Sequence, residues 1–194
     1  MHTSYKEGIA TVIAAYERAL ATGRRNMNAM SLATVAANGR PSIRTVLLKA
    51  IDEQGLVFFT DSRSRKGQDL AAKPEASVCF YWEALEEQVR IDGYVERLDE
   101  SAVAADFNAR PRTGQVLICA SAQSTPLSSV DELRARAATF EESQPTQIPM
   151  PVHWAGYRLV PDYIETWQGR RDRFHERVAF THTQSGWEKQ LLHP

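Results

Sequence analysis

The chain has 194 residues, a formal net charge of −1 and 43% hydrophobic residues, enough for one domain that buries its own core. The near-zero charge argues against a dedicated nucleic-acid binder, which is usually clearly basic, so any cationic site must be local. With two cysteines, no apolar run of membrane-spanning length and no signal-peptide pattern, the chain reads as neither a disulfide scaffold nor a membrane protein, and a cytoplasmic location is expected.

In chain order, Thr3–Ala21 reads as a helix, with Ile9, Val12, Ile13, Tyr16 and Leu20 at helical spacing and Gly23 as its stop. The period then changes. Met30–Ala36, Ser42–Ile51 and Leu56–Thr60 are β-rich, separated by Asn38-Gly39 and Glu53-Gln54-Gly55, both hairpin signals. Ser64–Ala72 is a short helix with Ser64 as N-cap and Pro74 beyond its end. Ala76–Trp82 and Gln88–Leu98 make another strand pair, and Asp99–Ala109 is helical up to Pro111. Val130–Glu142 is a surface helix capped by Ser129, and Gln144–Pro151 is a Pro-rich extended loop. Trp154–Val160, Tyr163–Trp167, Phe174–Thr181 and Trp187–Leu192 supply the last strands, with Ser185-Gly186 as a turn. Cys79 and Cys119 lie in apolar runs and read as buried thiols. Many antiparallel strands, few helices and no repeat or linker predict a single mainly-β (α+β) domain over residues 1–194, a closed or partly open β-barrel with peripheral helices.

Three clusters carry chemistry. Arg170, Arg171, Arg173, His175 and Arg177 follow Trp167 closely, and Arg173, His175 and Arg177 alternate. In an extended strand they share one face, a self-repelling row that suits an anionic planar ligand. Arg44 and Lys49 lie on one expected strand at odd separation, which sends them to opposite faces unless the strand carries a bulge; Val46, Leu47 and Leu48 between them read as core. Arg63-Ser64-Arg65-Lys66 opens a helix, where cations are mildly unfavourable unless an anion sits there, and suits a phosphate monoester. With no Rossmann or P-loop glycine pattern, side chains must hold that phosphate. Gln88, Gln123-Ser124 and Gln168 offer polar groups to a heterocycle edge. The histidines lack metal-ligand spacing, so no metal is expected.

Taken together, Arg44-Thr-Val-Leu-Leu-Lys49, Phe59-Thr60 with Ser64-Arg-Lys66, Gln88-Val89, Arg110-Pro-Arg112, Gln123-Ser124 and Trp167-Gln-Gly with Arg173-Phe-His-Glu-Arg177 resemble the pyridoxamine 5′-phosphate oxidase family, in order and at near-family spacing. The resemblance implies an FMN-binding split β-barrel homodimer with FMN at the subunit interface. Its flavin set comprises Arg44, Thr45, Val46, Leu47, Leu48 and Lys49, then Phe59, Thr60, Arg65 and Lys66, and finally Gln88, Gln123, Ser124, Trp167 and Arg177. Arg65 and Lys66 are the implied phosphate holders. Lys49 and Arg110 are implied at the substrate phosphate, and Arg173 and His175 as the catalytic, substrate-contacting pair. The implied reaction passes a hydride from pyridoxamine or pyridoxine 5′-phosphate to FMN and then to dioxygen, giving pyridoxal 5′-phosphate and hydrogen peroxide.

The sequence also departs from the family. Asp106 and Gly114 stand where the family has Tyr and Ser donors to the substrate phosphate, Tyr81 replaces a Pro, and Leu191 an Arg. A family N-terminal extension that closes over substrate is expected to be missing. Asp106 puts a carboxylate beside a phosphate dianion unless it turns away. Tyr81-Trp82 and the missing phosphate hydroxyls resemble the phenazine-biosynthesis flavin oxidases, a branch of the same superfamily, while Arg110-Pro-Arg112 and Leu47-Leu48-Lys49 resemble the vitamin B6 enzymes. Two alternatives stay open: an oxidase for another planar anion such as a reduced phenazine precursor, and a non-catalytic FMN- or pyridoxal-phosphate-binding protein.

Overall fold

Helix α1 spans Thr3–Ala21 and turns Tyr5, Ile9, Val12, Ala15 and Ala19 into the core, at helical spacing, while Leu20 is 49% exposed. The computed structural model describes residues 3–144 and 146–194; Pro145, inside the expected Pro-rich loop, lies outside them. The strands are β1 (Ala29–Val35), β2 (Pro41–Leu47), β3 (Ala50–Asp52), β4 (Gly55–Asp61), β5 (Glu75–Trp82), β6 (Glu87–Arg97), β7 (Trp154–Gln168), β8 (Glu176–Thr183) and β9 (Gly186–Leu192). The other helices are α2 (Arg65–Ala72), α3 (Glu100–Asn108), α4 (Arg112–Ala120) and α5 (Val130–Ser143). No helix among the described residues is long and apolar enough to cross a membrane.

The strands form one antiparallel sheet in the order β2-β1-β5-β6-β7-β4-β3, with β8 on β7 and β9 on β8. Strands β2 and β3 end that path, yet only Leu48 and Lys49 separate them in sequence. Two residues cannot cross a flat sheet of this width, so the sheet curls until its ends approach, which makes the partly open barrel. Leu48 N–H bonds to Asn28 on the β1 side, and Lys49 N–H to Val57 in β4, so the chain changes partners between these two residues.

Here the structure corrects the sequence reading. Arg44 and Lys49 do not share a strand, so the parity argument between them lapses. Of Val46, Leu47 and Leu48, only Leu48 is fully buried, and Leu47 is 46% exposed. The strands expected at Trp154–Val160 and Tyr163–Trp167 are one strand. β7 pairs with β6 along its length, with β4 through its first half and with β8 through its second, and it bends at a bulge opposite Asp92 and Gly93. A Cβ on Gly93 would lie 2.1 Å from the Val160 carbonyl oxygen, so the bulge requires glycine. Helix α4 was not foreseen, because Arg110-Pro-Arg112 reads as a stop, whereas Pro111 serves as its N-cap. The two thiols are half-buried.

The inner face of the sheet carries Met30, Leu32, Phe58, Val78, Phe80, Ile91, Ile164 and Phe180, all at 1% exposure or less, against α1. Each such side chain contributes about 1.5–3 kcal/mol on burial. A smaller cluster of Val103, Phe107, Val116, Ile148 and Trp154 fixes α3 and α4 beside the start of β7.

Candidate functional site

The α2 N-terminus gathers the first group of predicted residues. Ser64 caps the helix, its hydroxyl accepting from Gly67 N–H. A Cβ on Gly67 would lie 2.4 Å from the Ser62 carbonyl oxygen, so only glycine lets the strand end and first helical turn approach this closely. Lys66 Nζ donates to Thr60 Oγ1 at 3.0 Å and Gln123 Oε1 at 3.2 Å, tying α2 to the end of β4 and the segment after α4. Burial, and then the nearby Arg44, push the Lys66 ammonium below its ordinary range, with Asp61 opposing. Arg44 donates to Leu32 O at 3.1 Å and Thr34 Oγ1 at 2.7 Å, and Asp69 stands 3.6 Å from it. Burial lowers the Arg44 guanidinium, Asp69 opposes and Arg65 adds to the lowering. Among the described residues no carboxylate pairs with Arg65. Arg63 is different: it doubly engages Asp61, with Nη2 to Oδ2 at 2.8 Å, so its charge has an internal explanation. Ser124 sits beside this group in a left-handed conformation, φ 70°.

The second group lies at the far end of β7. Cross-strand register places Gln88 opposite Trp167, Arg90 opposite Glu165, and Arg177 opposite Trp167. These residues share the sheet face turned away from the core, together with Cys79 and Thr45. Glu165 is 2% exposed and organises this face. It accepts from Arg177 Nε at 2.9 Å, Arg90 Nη1 at 3.3 Å and Tyr163 OH at 2.7 Å. Burial, then the bond to Glu165, push the Tyr163 hydroxyl up to about 12. Arg177 also donates to the His193 carbonyl at 2.8 Å, locking it to the C-terminal segment.

The expected row of Arg173, His175 and Arg177 on one strand face is not formed. β8 begins at Glu176; Arg173 occupies a turn at φ 67°, exposed, and His175 precedes the strand. The like charges are thereby separated, and Arg170 is paired with Glu176 at 2.7 Å. His175 packs on Trp167 with ring centroids 4.9 Å apart, and its Nδ1 accepts from Arg170 N–H at 3.0 Å. That bond assigns the neutral ring proton to Nε2, the nitrogen facing away from the turn.

The third group is Lys49, Asp106 and Arg110. Asp106 does not turn away. Its carboxylate lies 3.9 Å from Lys49 Nζ and accepts from Arg110 Nε at 2.8 Å, one helical turn on. The Arg110 guanidinium lies 4.8 Å over the Trp154 ring. Lys49, Phe59 and Asp106 line an open cleft of about 1380 Å3 that runs toward Tyr94 and Trp187.

The predicted residues thus form separate groups in one chain: Arg44, Thr60, Arg65, Lys66 and Gln123; Lys49 with Arg110; and Gln88, Trp167, His175 and Arg177. Thr60 pairs with Ala155 and Gln88 with Trp167, twelve positions further along β7, about 40 Å of strand path. Thr45 and Leu47 project from the edge strand β2 on the outer face, while Val46 points inward. Sequence reasoning missed Asp69, Glu165, Tyr163 and Asp106's ion pairs. Glu165 had a signal: a carboxylate at the same strand parity as Trp167, which strand pairing sets against two arginines.

Residues 16–144 match the family model described as Pyridoxamine 5′-phosphate oxidase, and residues 154–194 the one described as Pyridoxine 5′-phosphate oxidase C-terminal dimerisation region. A pyridoxine/pyridoxamine 5′-phosphate oxidase of Myxococcus xanthus is 46% identical, over 92% of this chain and 87% of its own. One from Burkholderia multivorans is also 46% identical, over 92% and 85%. Among solved structures, PhzG from Burkholderia lata 383, in complex with tetrahydrophenazine-1-carboxylic acid, superposes with a TM-score of 0.91 at 30% identity, covering 100% of this chain and 98% of that one.

Proposed function

Because the chain belongs to the pyridoxamine 5′-phosphate oxidase family, we propose that this FMN-dependent oxidase converts pyridoxamine or pyridoxine 5′-phosphate to pyridoxal 5′-phosphate, with FMN held between two copies of the chain. The observation that carries the reading is the α2 group. Arg44, Arg65 and Lys66 share one field with Asp69 as the carboxylate at Arg44, and Lys66 is desolvated. Such a group fits a phosphate monoester, because each charge-assisted bond to the anion stabilises a cation that burial has destabilised. Thr60 and Gln123 fit the polar chain and ring edge of the same cofactor.

Arg44, Arg65 and Lys66 would hold FMN, which when bound would supply the hydride acceptor for the substrate's alcohol or amine carbon and the route for two electrons to dioxygen, with hydrogen peroxide as the by-product. The chain's own residues bind, orient and shield. Trp167 and His175, tilted 42° to one another, offer aromatic faces on which a substrate ring can pack. His175 Nε2–H donates to the substrate's oxygen, held in that tautomer by the Arg170 N–H on Nδ1. Arg173, exposed in its turn, offers a cation to the substrate. Arg177, fixed by Glu165, keeps a guanidinium at the flavin. Lys49 and Arg110 receive the substrate's anionic end.

The groups at the two ends of β7 are separated by about 40 Å of strand path within one chain. A second copy that brings its β7–β8 end to the first copy's α2 completes the site, in keeping with the dimerisation region matched at residues 154–194. The test is aldehyde formation from each phosphorylated vitamer in air by the flavin-loaded protein, against free FMN. The reading predicts turnover with stoichiometric peroxide; a rate equal to free FMN refutes it. A second reading, oxidation of a planar carboxylate, is favoured by the Asp106 ion pairs and by the ligand in the Burkholderia lata PhzG complex.

A further inference from the structure

We propose that Asp106 sets the charge of the anchoring group this oxidase accepts: it is a built-in counter-ion that occupies the place of one negative charge of a phosphate dianion, so the pocket favours substrates anchored by a single negative charge. The inference rests on the reading that Lys49 and Arg110 receive the substrate's anionic end.

Three observations carry it. Asp106 lies between the two cations, 3.9 Å from Lys49 Nζ and 2.8 Å from Arg110 Nε, and its side chain is only 13% exposed. It therefore cannot be treated as a solvated bystander. Second, Arg110 is held from two sides, by Asp106 one turn back on the helix and by the Trp154 ring 4.8 Å beneath it. Asp106 engages only Nε, and among the described residues nothing accepts from the Arg110 Nη atoms. The outer edge of the guanidinium is left for a ligand, and two parallel N–H groups match a carboxylate. Third, the position has room but no extra donor: outside its own helix backbone, a Cβ at Gly114 would meet only Arg110 Cβ, at 3.9 Å, and glycine carries no hydroxyl.

Two cations against one carboxylate leave a net charge of +1, which a monoanion neutralises and a dianion overshoots. A like charge a few ångström away in a half-exposed site weakens binding on the order of tenfold or more. Asp106→Asn keeps the shape and removes the charge; Asp106→Ser removes the charge and shortens the side chain, and serves if the first variant loses its fold. The experiment titrates flavin-loaded wild type and variants, without oxygen turnover, with pyridoxine 5′-phosphate and with nicotinate as a planar monocarboxylate, reading the perturbation of the flavin spectrum. The expected result is that the neutral variants bind the phosphate ester at least about tenfold tighter, with a change for nicotinate only about half as large in free energy, roughly threefold for a tenfold gain. Unchanged or weaker phosphate-ester binding by variants that retain flavin overturns it. If the phosphate ester tightens as predicted but is not oxidised, the inference about Asp106 stands and the vitamer reading falls.

Discussion

The two basic groups of this chain handle charge in opposite ways. At the start of α2, Arg44, Arg65 and Lys66 face Asp69 as the carboxylate at Arg44, while Asp61 is taken up by Arg63. At the α3 site, Asp106 already joins both cations. The first group is poised for an anion that the fold does not supply; the second has partly supplied its own. A permanently held cofactor suits the first arrangement, and a substrate that must arrive and leave suits the second. In the proposed function, the flavin phosphate and the substrate's anionic end would thus be received by differently balanced groups.

The largest expected effect tests the first group. Arg65→Ala with Lys66→Ala removes two charge-assisted bonds, about 1.5–3 kcal/mol each, so FMN affinity should fall by roughly 10²- to 10⁴-fold. Flavin content after dialysis and fluorescence titration read it; retained flavin would dissolve the contrast between the two groups. Next is Glu165→Gln. The amide cannot serve Arg177, Arg90 and Tyr163 together, and we expect a stability loss of about 1–3 kcal/mol in denaturant unfolding together with weaker flavin retention, because Arg177 is freed. Stability loss without any change in flavin affinity would leave Glu165 purely structural.

A pH experiment separates the groups further. Lys66 is lowered in the folded chain, so between that lowered value and the ordinary lysine value the unfolded chain binds the extra proton. Stability of the flavin-free protein should therefore gain from Lys66 as pH rises through that window. Bound phosphate raises Lys66 again and removes the gain. Comparing flavin-free and flavin-loaded protein, each with and without Lys66→Met, isolates the contribution, and an identical pH dependence in all four samples would exclude Lys66 from the phosphate. The smallest expected change is Gly114→Ser, which adds a hydroxyl beside Arg110 and should lower the Michaelis constant for a phosphorylated substrate by about two- to tenfold, one ordinary hydrogen bond.

Much of the fold was legible in the sequence because local signals were strong: α1 from its period, α2 from Ser64 and Pro74, and the hairpins from Asn38-Gly39 and Ser185-Gly186. What failed was long-range. Nothing local says that the chain switches strand partners between Leu48 and Lys49, since that follows from sheet closure. Pro111 reads as the end of one helix, whereas the structure uses it to start the next. At the site, the residue types were readable but their pairings were not. Alternation placed Arg173, His175 and Arg177 on one face, yet a turn at Arg173 breaks the strand before the row can form. Asp106 was visible as a departure, while its closeness to Lys49 depends on how β3 and α3 pack.

In the proposed function these groups assemble, across two copies, into a flavin site that oxidises a phosphorylated vitamer. Rapid mixing of the oxygen-free, flavin-loaded protein with pyridoxine 5′-phosphate measures this most directly. The expected result is bleaching of the bound flavin, saturating with substrate, with one aldehyde formed per flavin reduced. Flavin that stays oxidised at saturating vitamer would contradict it.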